Sequence, residues 1–291
     1  MPIASDALGA PVNRWSSKKV LKARLLSAAI MVPLVVCGVL FLSTPVFTAI
    51  LAAIMLLAAW EWSHLVPVAQ IFQRIAYVVV MAALMWMLWQ TGLSQLLFPL
   101  LLLAMIWWLC ALFWLSRPQF FAVLSPLTVN IKLLAGALVL LPAWASLVTL
   151  HASGERGPVL TLMMMVLVWL ADSGAYFAGR QWGKTKLAPA ISPGKTWEGV
   201  YGGLFSSLVF AGIAGMLFSE SVKWTLMFML VAGIAVLFSV VGDLLESLMK
   251  RHSGIKDSGH IIPGHGGIFD RIDGLVAAAP VFLAGYLWLG L

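Results

Sequence analysis

Long apolar runs separated by short polar breaks fill this chain from residue 25 to its end. Nine stand out: Leu25–Leu42, Pro45–Trp60, Ile75–Trp89, Leu96–Leu115, Leu133–Leu150, Val159–Phe177, Val200–Phe218, Trp224–Val241 and Leu275–Leu291. Each approaches the roughly 20 apolar residues that a helix needs to cross a bilayer. Backbone in lipid must satisfy its own hydrogen bonds, which leaves helices and closed barrels. Barrel strands alternate over about ten residues, and these runs do not alternate. The pattern predicts an all-α, polytopic transmembrane helical bundle of about nine spans. The second and third runs are short, so their ends are the least defined.

Composition supports that class. The chain is 62% hydrophobic and 10% charged, against about 25% charged in soluble domains. Cys37 and Cys110 both lie inside apolar runs and read as packing residues, not as a disulfide or metal pair. Residues 1 to 17 are polar, and no cleavable leader is apparent before the first long run. The net charge of +7 raises the question of nucleic acid, and its distribution answers it. With nine spans and the N-terminus inside, every lysine and arginine except Arg156 and Lys223 falls on the inner side. That bias predicts a cytoplasmic N-terminus and an outer C-terminus, and accounts for the charge with no nucleic-acid partner.

The organisation expected is a cytoplasmic segment over residues 1–24, a transmembrane scaffold over 25–150 and a catalytic region over 151–291. The first half is nearly free of motifs. Polar chemistry concentrates in two loops of one face, about 178–199 and 242–274.

Asp172 interrupts the sixth run. It stands about five residues from the inner end of that run, and a carboxylate there costs about 2.5–3.5 kcal/mol on insertion scales, so it either faces a polar cavity or reaches headgroup water. The stretch "ISPGKTWEG", residues 191–199, invites a phosphate-loop reading. Its spacing refuses it, because Pro189 and Ala178 stand where the Walker pattern needs glycine. What remains is Ser192, Lys195, Thr196 and Glu198 on a Pro/Gly-shaped loop; Lys195 is either a phosphate counter-charge or an ordinary loop cation. In "GDLLESLMKR", residues 242–251, helical continuation would align Asp243, Glu246, Ser247 and Lys250 on one face. The alternative there is a solvated amphipathic extension.

The densest cluster is "KDSGHIIPGHGGIFDRIDG", residues 256–274. Asp270 and Asp273 are three apart at the start of the last run. Aspartates from two helix ends make a hard oxygen site suited to Mg²⁺ and not to zinc, with Asp243 and Asp270 the expected ligand pair. The glycines, Gly266 and Gly267 among them, would let backbone approach a phosphate. Lys250, Arg251, Lys256 and Arg271 would hold phosphate oxygens. His265 stands open between substrate contact and loop structure. Residue chemistry alone thus reaches a metal- and phosphate-binding site at one membrane face, fit for phosphoryl or nucleotidyl transfer onto a lipid.

Ser247 to Asp273, "SLMKRHSGIKDSGHIIPGHGGIFDRID", resembles the signature of the phosphatidate cytidylyltransferases, or CDP-diacylglycerol synthases. The fixed positions of that pattern are Ser247, Lys250, Arg251, Lys256, Asp257, Pro263, His265, Gly266, Gly267, Asp270, Arg271 and Asp273. "SPGKTWEG" is similar to the family's second landmark. The resemblance covers mainly Val159 to the end. It implies CTP and phosphatidate as substrates, CDP-diacylglycerol and pyrophosphate as products, a requirement for Mg²⁺ with K⁺ a candidate second cation, and a homodimer. It also implies residence in a bacterial inner membrane with the site on the cytoplasmic side. Under it, Asp243 and Asp270 hold metal, and Lys250, Arg271 and Lys195 hold phosphates. Ser247 and Asp273 orient substrates, while Asp172, Ser192, Thr196, Glu198, Arg251, Lys256, Asp257, His265, Gly266 and Gly267 line the substrate site. A phosphate monoester with a second pKa near 6 is already ionised at neutral pH, so no strong general base is required.

Three other readings compete. A CDP-alcohol phosphotransferase would follow Asp273-Gly274 with an arginine and further aspartates, and neither is there. A polyprenol or lipid kinase shares the membrane setting and the carboxylates, and differs in base choice and in the group transferred. An ion-coupled transporter would show inverted repeats and midplane charges; no repeat is visible.

Overall fold

The structure, a computed structural model, describes residues 29–290 except 67, 69, 124, 220, 256, 257 and 260–265. Among the described residues nine helices follow one another: α1 (Ala29–Phe41), α2 (Thr44–Leu65), α3 (Ile71–Gln90), α4 (Leu93–Ser116), α5 (Pro126–His151), α6 (Gly157–Trp182), α7 (Trp197–Phe218), α8 (Val222–Ser253) and α9 (Phe269–Trp288). Eight of them, α2 to α9, are long and apolar enough to cross a membrane. The chain is therefore an integral membrane protein with an all-α bundle, as the apolar runs predict. One small element was not foreseen. A two-stranded antiparallel hairpin, β1 (Lys186–Ala188) and β2 (Ser192–Thr196), joins α6 to α7 and pairs Lys186 with Thr196 and Ala188 with Ser192.

Helix ends depart from the hydropathy boundaries, because hydrogen bonding and capping set them. A capping box between Ser125 and Thr128, with Pro126 in the first turn, starts α5 seven residues before its apolar run. That places Lys132 inside the helix, fully buried, where the sequence predicts a loop cation. Thr196 caps α7 by accepting from Gly199 N at 3.2 Å. The eighth helix runs twelve residues past Val241 before Gly254, at φ +71°, ends it; Ile255 N donates to Lys250 O at 3.1 Å. Much of the two expected polar loops is thus helix, and the acids of residues 242–251 ride on a rigid rod.

Two close seams position the site. Along α6 and α7, Ser206 Oγ donates to Leu170 O at 2.8 Å and Ser207 Oγ to Leu167 O at 2.9 Å. A Cβ on Gly203 would lie 2.6 Å from Ala171 O, so only glycine allows that approach. Small residues at such contacts let helices touch backbone to backbone in lipid. Along α8 and α9, Gly242 abuts Asp273 O and Ala277. Here Asp243 is brought beside Asp273.

The first half packs around α2 and α5. His151 stacks on Phe47 at 4.2 Å, hydrogen bonds Thr44 Oγ1 at 3.0 Å and donates to Val39 O at 2.9 Å. Trp62 Nε1 donates to Lys132 O at 2.8 Å, while the Trp62 ring meets Phe269 edge-on at 5.2 Å. The scaffold is thereby tied to the start of α9.

Candidate active site

The helical face proposed for residues 243–250 exists. Ser247 Oγ donates to Asp243 Oδ1 at 3.4 Å, and Lys250 Nζ pairs with Glu246 Oε2 at 3.0 Å, each one turn apart. From the facing helix, α9 adds Asp270 and Asp273. Ligand oxygens of Asp243, Glu246 and Asp273 all lie within 4.8 Å of one another. Asp270 is held differently. Its Oδ2 accepts from Gly267 N at 2.7 Å and Ser258 N at 3.3 Å, and its Oδ1 pairs with Lys250. Lys250 is thus clamped between two carboxylates and neutralises part of the acidic cluster.

This cluster forms one wall of a cavity of about 530 Å³. Asp243, Asp270 and Asp273 line it, Asp172 and Tyr176 of α6 face them, and Lys195, Arg180 and Arg271 bring positive charge around it. Val200, Val236 and Val240 make part of its wall apolar. Asp172 accordingly opens to the cavity, as one of the two sequence readings requires. Lys195 reaches from β2 to Asp243 Oδ2 at 2.5 Å.

The remaining expected residues serve mostly to build the walls. Glu198 accepts from Thr185 N through both oxygens, at 3.1 and 3.2 Å, and so fastens the base of the hairpin. Thr196 lines the cavity and caps α7; Ser192 sits in the hairpin register. Arg251 Nε donates to Ile191 O at 3.1 Å, tying the end of α8 to the hairpin tip. Gly266 has φ +77°, and Gly267 supplies the N–H that Asp270 accepts. Lys256, Asp257 and His265 lie outside the described residues.

Three acids, Asp243, Glu246 and Asp273, could serve a hard divalent cation. Glu246 is buried, and its Oε1 has no hydrogen-bond partner among the described residues. A buried carboxylate oxygen left so is costly, and a metal ion in the Asp243–Glu246–Asp273 group would satisfy it. All donors are oxygens, which suits Mg²⁺. Glu246 was visible in the sequence as a neighbour of Asp243 on one face, yet only the α8–α9 contact shows it converging with Asp273. Arg180 and Tyr176, joined by a 3.1 Å hydrogen bond, line the cavity too, and the sequence marks Arg180 only as one of the inner-side cations. Glu61 was missed altogether, although it is the sole acid between Asp6 and Glu155. It accepts from Ile268 N at 3.0 Å and Phe269 N at 2.7 Å, across the boundary between scaffold and catalytic region.

Comparison with known proteins bears on this arrangement. The family model described as Cytidylyltransferase family matches residues 22–289. A phosphatidate cytidylyltransferase of Pseudomonas aeruginosa is 44% identical over 272 residues, covering 92% of this chain and 97% of that protein. One from Haemophilus influenzae is 40% identical, over 92% of this chain and 99% of its own length. One from Staphylococcus saprophyticus is 43% identical over 132 residues, 45% of this chain and 50% of that protein. Matched over nearly its whole length by the family model and by relatives at 40–44% identity, the chain belongs to the cytidylyltransferase family.

Proposed function

We infer that the protein is a phosphatidate cytidylyltransferase, joining CTP and phosphatidate to give CDP-diacylglycerol and pyrophosphate. The observation that carries this reading is the cavity that sets Asp243 and Asp273 opposite Lys195, Arg180 and Arg271 in a membrane-embedded chain. Relatives that bear this name over more than nine-tenths of the chain support the substrates.

The reaction forms a bond between a phosphatidate phosphate oxygen and the α-phosphorus of CTP. It breaks the bond from that phosphorus to the bridging oxygen, and pyrophosphate leaves with the electron pair. Both reactants are polyanions, so charge neutralisation and alignment are the main tasks. Asp243, Glu246 and Asp273 would hold Mg²⁺, which when bound neutralises the triphosphate and the charge developing on pyrophosphate. Lys195 exchanges its contact with Asp243 for a phosphate oxygen as CTP arrives. Arg180 and Arg271 face the same space and hold further phosphate oxygens. Lys250 keeps Glu246 and Asp270 fixed, and Asp270 in turn holds the Gly267 backbone against the cavity. The apolar valines offer a surface to the glycerol and the first methylenes of the lipid. The basic residues of this face support a site on the cytoplasmic side of the membrane, with the N-terminus there.

The test uses purified protein in detergent, phosphatidate, and each labelled nucleoside triphosphate with and without Mg²⁺. Cytidine label should enter lipid only with Mg²⁺, with one pyrophosphate released per lipid formed. Entry of γ-phosphate label instead would establish a lipid kinase and refute the assignment.

A further inference from the structure

We propose that Glu61, in the motif-free half of the chain, is the positioning residue that fixes the first turn of α9 and hence the setting of Asp270 and Asp273. The proposal rests on the reading that the acids of α8 and α9 hold the metal and triphosphate.

Helix α9 begins without a side-chain cap of its own, and its Ncap position is Ile268. The first N–H groups of a helix have no partner within it and need one from elsewhere. Here α2 provides it, from about two hundred residues upstream. Glu61 Oε1 accepts from Ile268 N and Oε2 from Phe269 N, and Ser258 Oγ adds a third bond to Oε2 at 3.3 Å. Glu61 is only 2% exposed. The helix N-terminus and these donors suit a carboxylate, whose negative charge is favoured at that end of a helix. Gly259 and Gly267 lie against the carboxylate so closely that a Cβ on either would collide with it. The described parts of the signature segment at residues 258–259 and 267–269 therefore close around this side chain. The next residue, Trp62, is locked by Lys132 O and the Phe269 ring, which holds Glu61 at a fixed height. Phe269, gripped by Glu61, directly precedes Asp270, and Asp273 follows within the same turn.

The experiment compares Glu61→Gln, Glu61→Asp and Glu61→Ala with His151→Ala, which breaks a buried tie of the same scaffold away from the site. The readouts are kcat at saturating substrates, the Mg²⁺ activation midpoint, thermal midpoint, and hydrogen exchange of the 268–274 backbone. Gln keeps the shape but turns an N–H donor toward the helix N-terminus. It should lower kcat or Mg²⁺ affinity by roughly 10–100-fold, as loss of groups behind a metal site does, and speed exchange at Ile268 and Phe269. Glu61→Asp should fall between Gln and wild type. His151→Ala should lower the thermal midpoint and leave the Mg²⁺ midpoint within about twofold. If Glu61→Ala does not fold, the near-isosteric Gln variant carries the test. Wild-type kcat, Mg²⁺ midpoint and exchange in Glu61→Gln would overturn the proposal, as would an equal Mg²⁺ shift in His151→Ala. A wild-type protein without Mg²⁺-dependent cytidylyl transfer would instead sink the functional reading, and the exchange measurement would still decide whether Glu61 caps α9.

Discussion

Replacing Gly242 by alanine tests whether the α8–α9 seam sets the chemistry. The added methyl would land on Asp273 O and 2.9 Å from the Ala277 Cβ, where carbon contacts relax to about 3.5–4.0 Å. Neither neighbour is a flexible side-chain tip, so α9 must move away by about 1 Å. Overpacking of this size costs about 1–3 kcal/mol of stability, which a large apolar bundle should survive. The catalytic cost should be greater, because the displaced strip is the one carrying Asp273 opposite Asp243. A misplacement of about 1 Å is worth about 10²-fold in rate, or roughly 2.7 kcal/mol of barrier. The assay is transfer of cytidine label to phosphatidate at saturating substrates, with tryptophan-monitored thermal unfolding in the same detergent. Gly242→Ala should stay folded, lose about a hundredfold in kcat and need more Mg²⁺. Adding Ala277→Gly removes one of the two clashes and should restore part of the rate. A folded Gly242→Ala enzyme within threefold of wild type would show that the seam does not govern the geometry of the acids.

Other outcomes follow from the same site. Asp243→Asn removes both a metal oxygen and the partner of Lys195, and should lower kcat by at least about 10³-fold with membrane insertion and thermal midpoint preserved. Asp270→Asn should also abolish turnover, through release of Lys250 and the Gly267 backbone; full activity in that variant would remove Asp270 from the site. Lys195→Met should raise the KM for CTP more than Lys195→Arg does, measured by pyrophosphate release, because only the arginine keeps a phosphate counter-charge. Chelation should stop turnover, and Mg²⁺ should restore it where Ca²⁺ does not, since the larger ion takes more ligands at longer distances.

Much of this molecule is legible in its sequence, for reasons that differ by level. Spans are legible because lipid demands contiguous apolar helix. The alignment of Asp243 with Ser247 and of Glu246 with Lys250 is legible because a helix has one period. The ends of α5 and α8 are less so. Ser125 with Thr128, and Gly254, act through hydrogen bonds and backbone torsion that hydropathy does not register. The hairpin of residues 186–196 escapes because its strands are three and five residues long and alternate little. Convergence is the hardest to read. Whether Glu246 meets Asp273, or Lys250 meets Asp270, depends on how two helices that are not contiguous in the chain come together. Glu61 is the extreme case. Its partners are backbone N–H groups, which no side-chain motif records, and only the scarcity of acids around it hints at a purpose.

The unbroken length of α8 also works as a ruler. At 1.5 Å per residue, the 21 steps from Val222 to Asp243 span about 32 Å, close to the roughly 30 Å of bilayer hydrocarbon, and the helix continues for ten more residues. If α8 stands near the membrane normal with its start at one boundary, Asp243 sits at the other. A lipid phosphate already rests at that depth. Phosphatidate would then need to travel only sideways in its own leaflet, keeping its acyl chains in oil. The water-soluble nucleotide would make the vertical journey, and its descent would be the one that the ring of cations has to draw down.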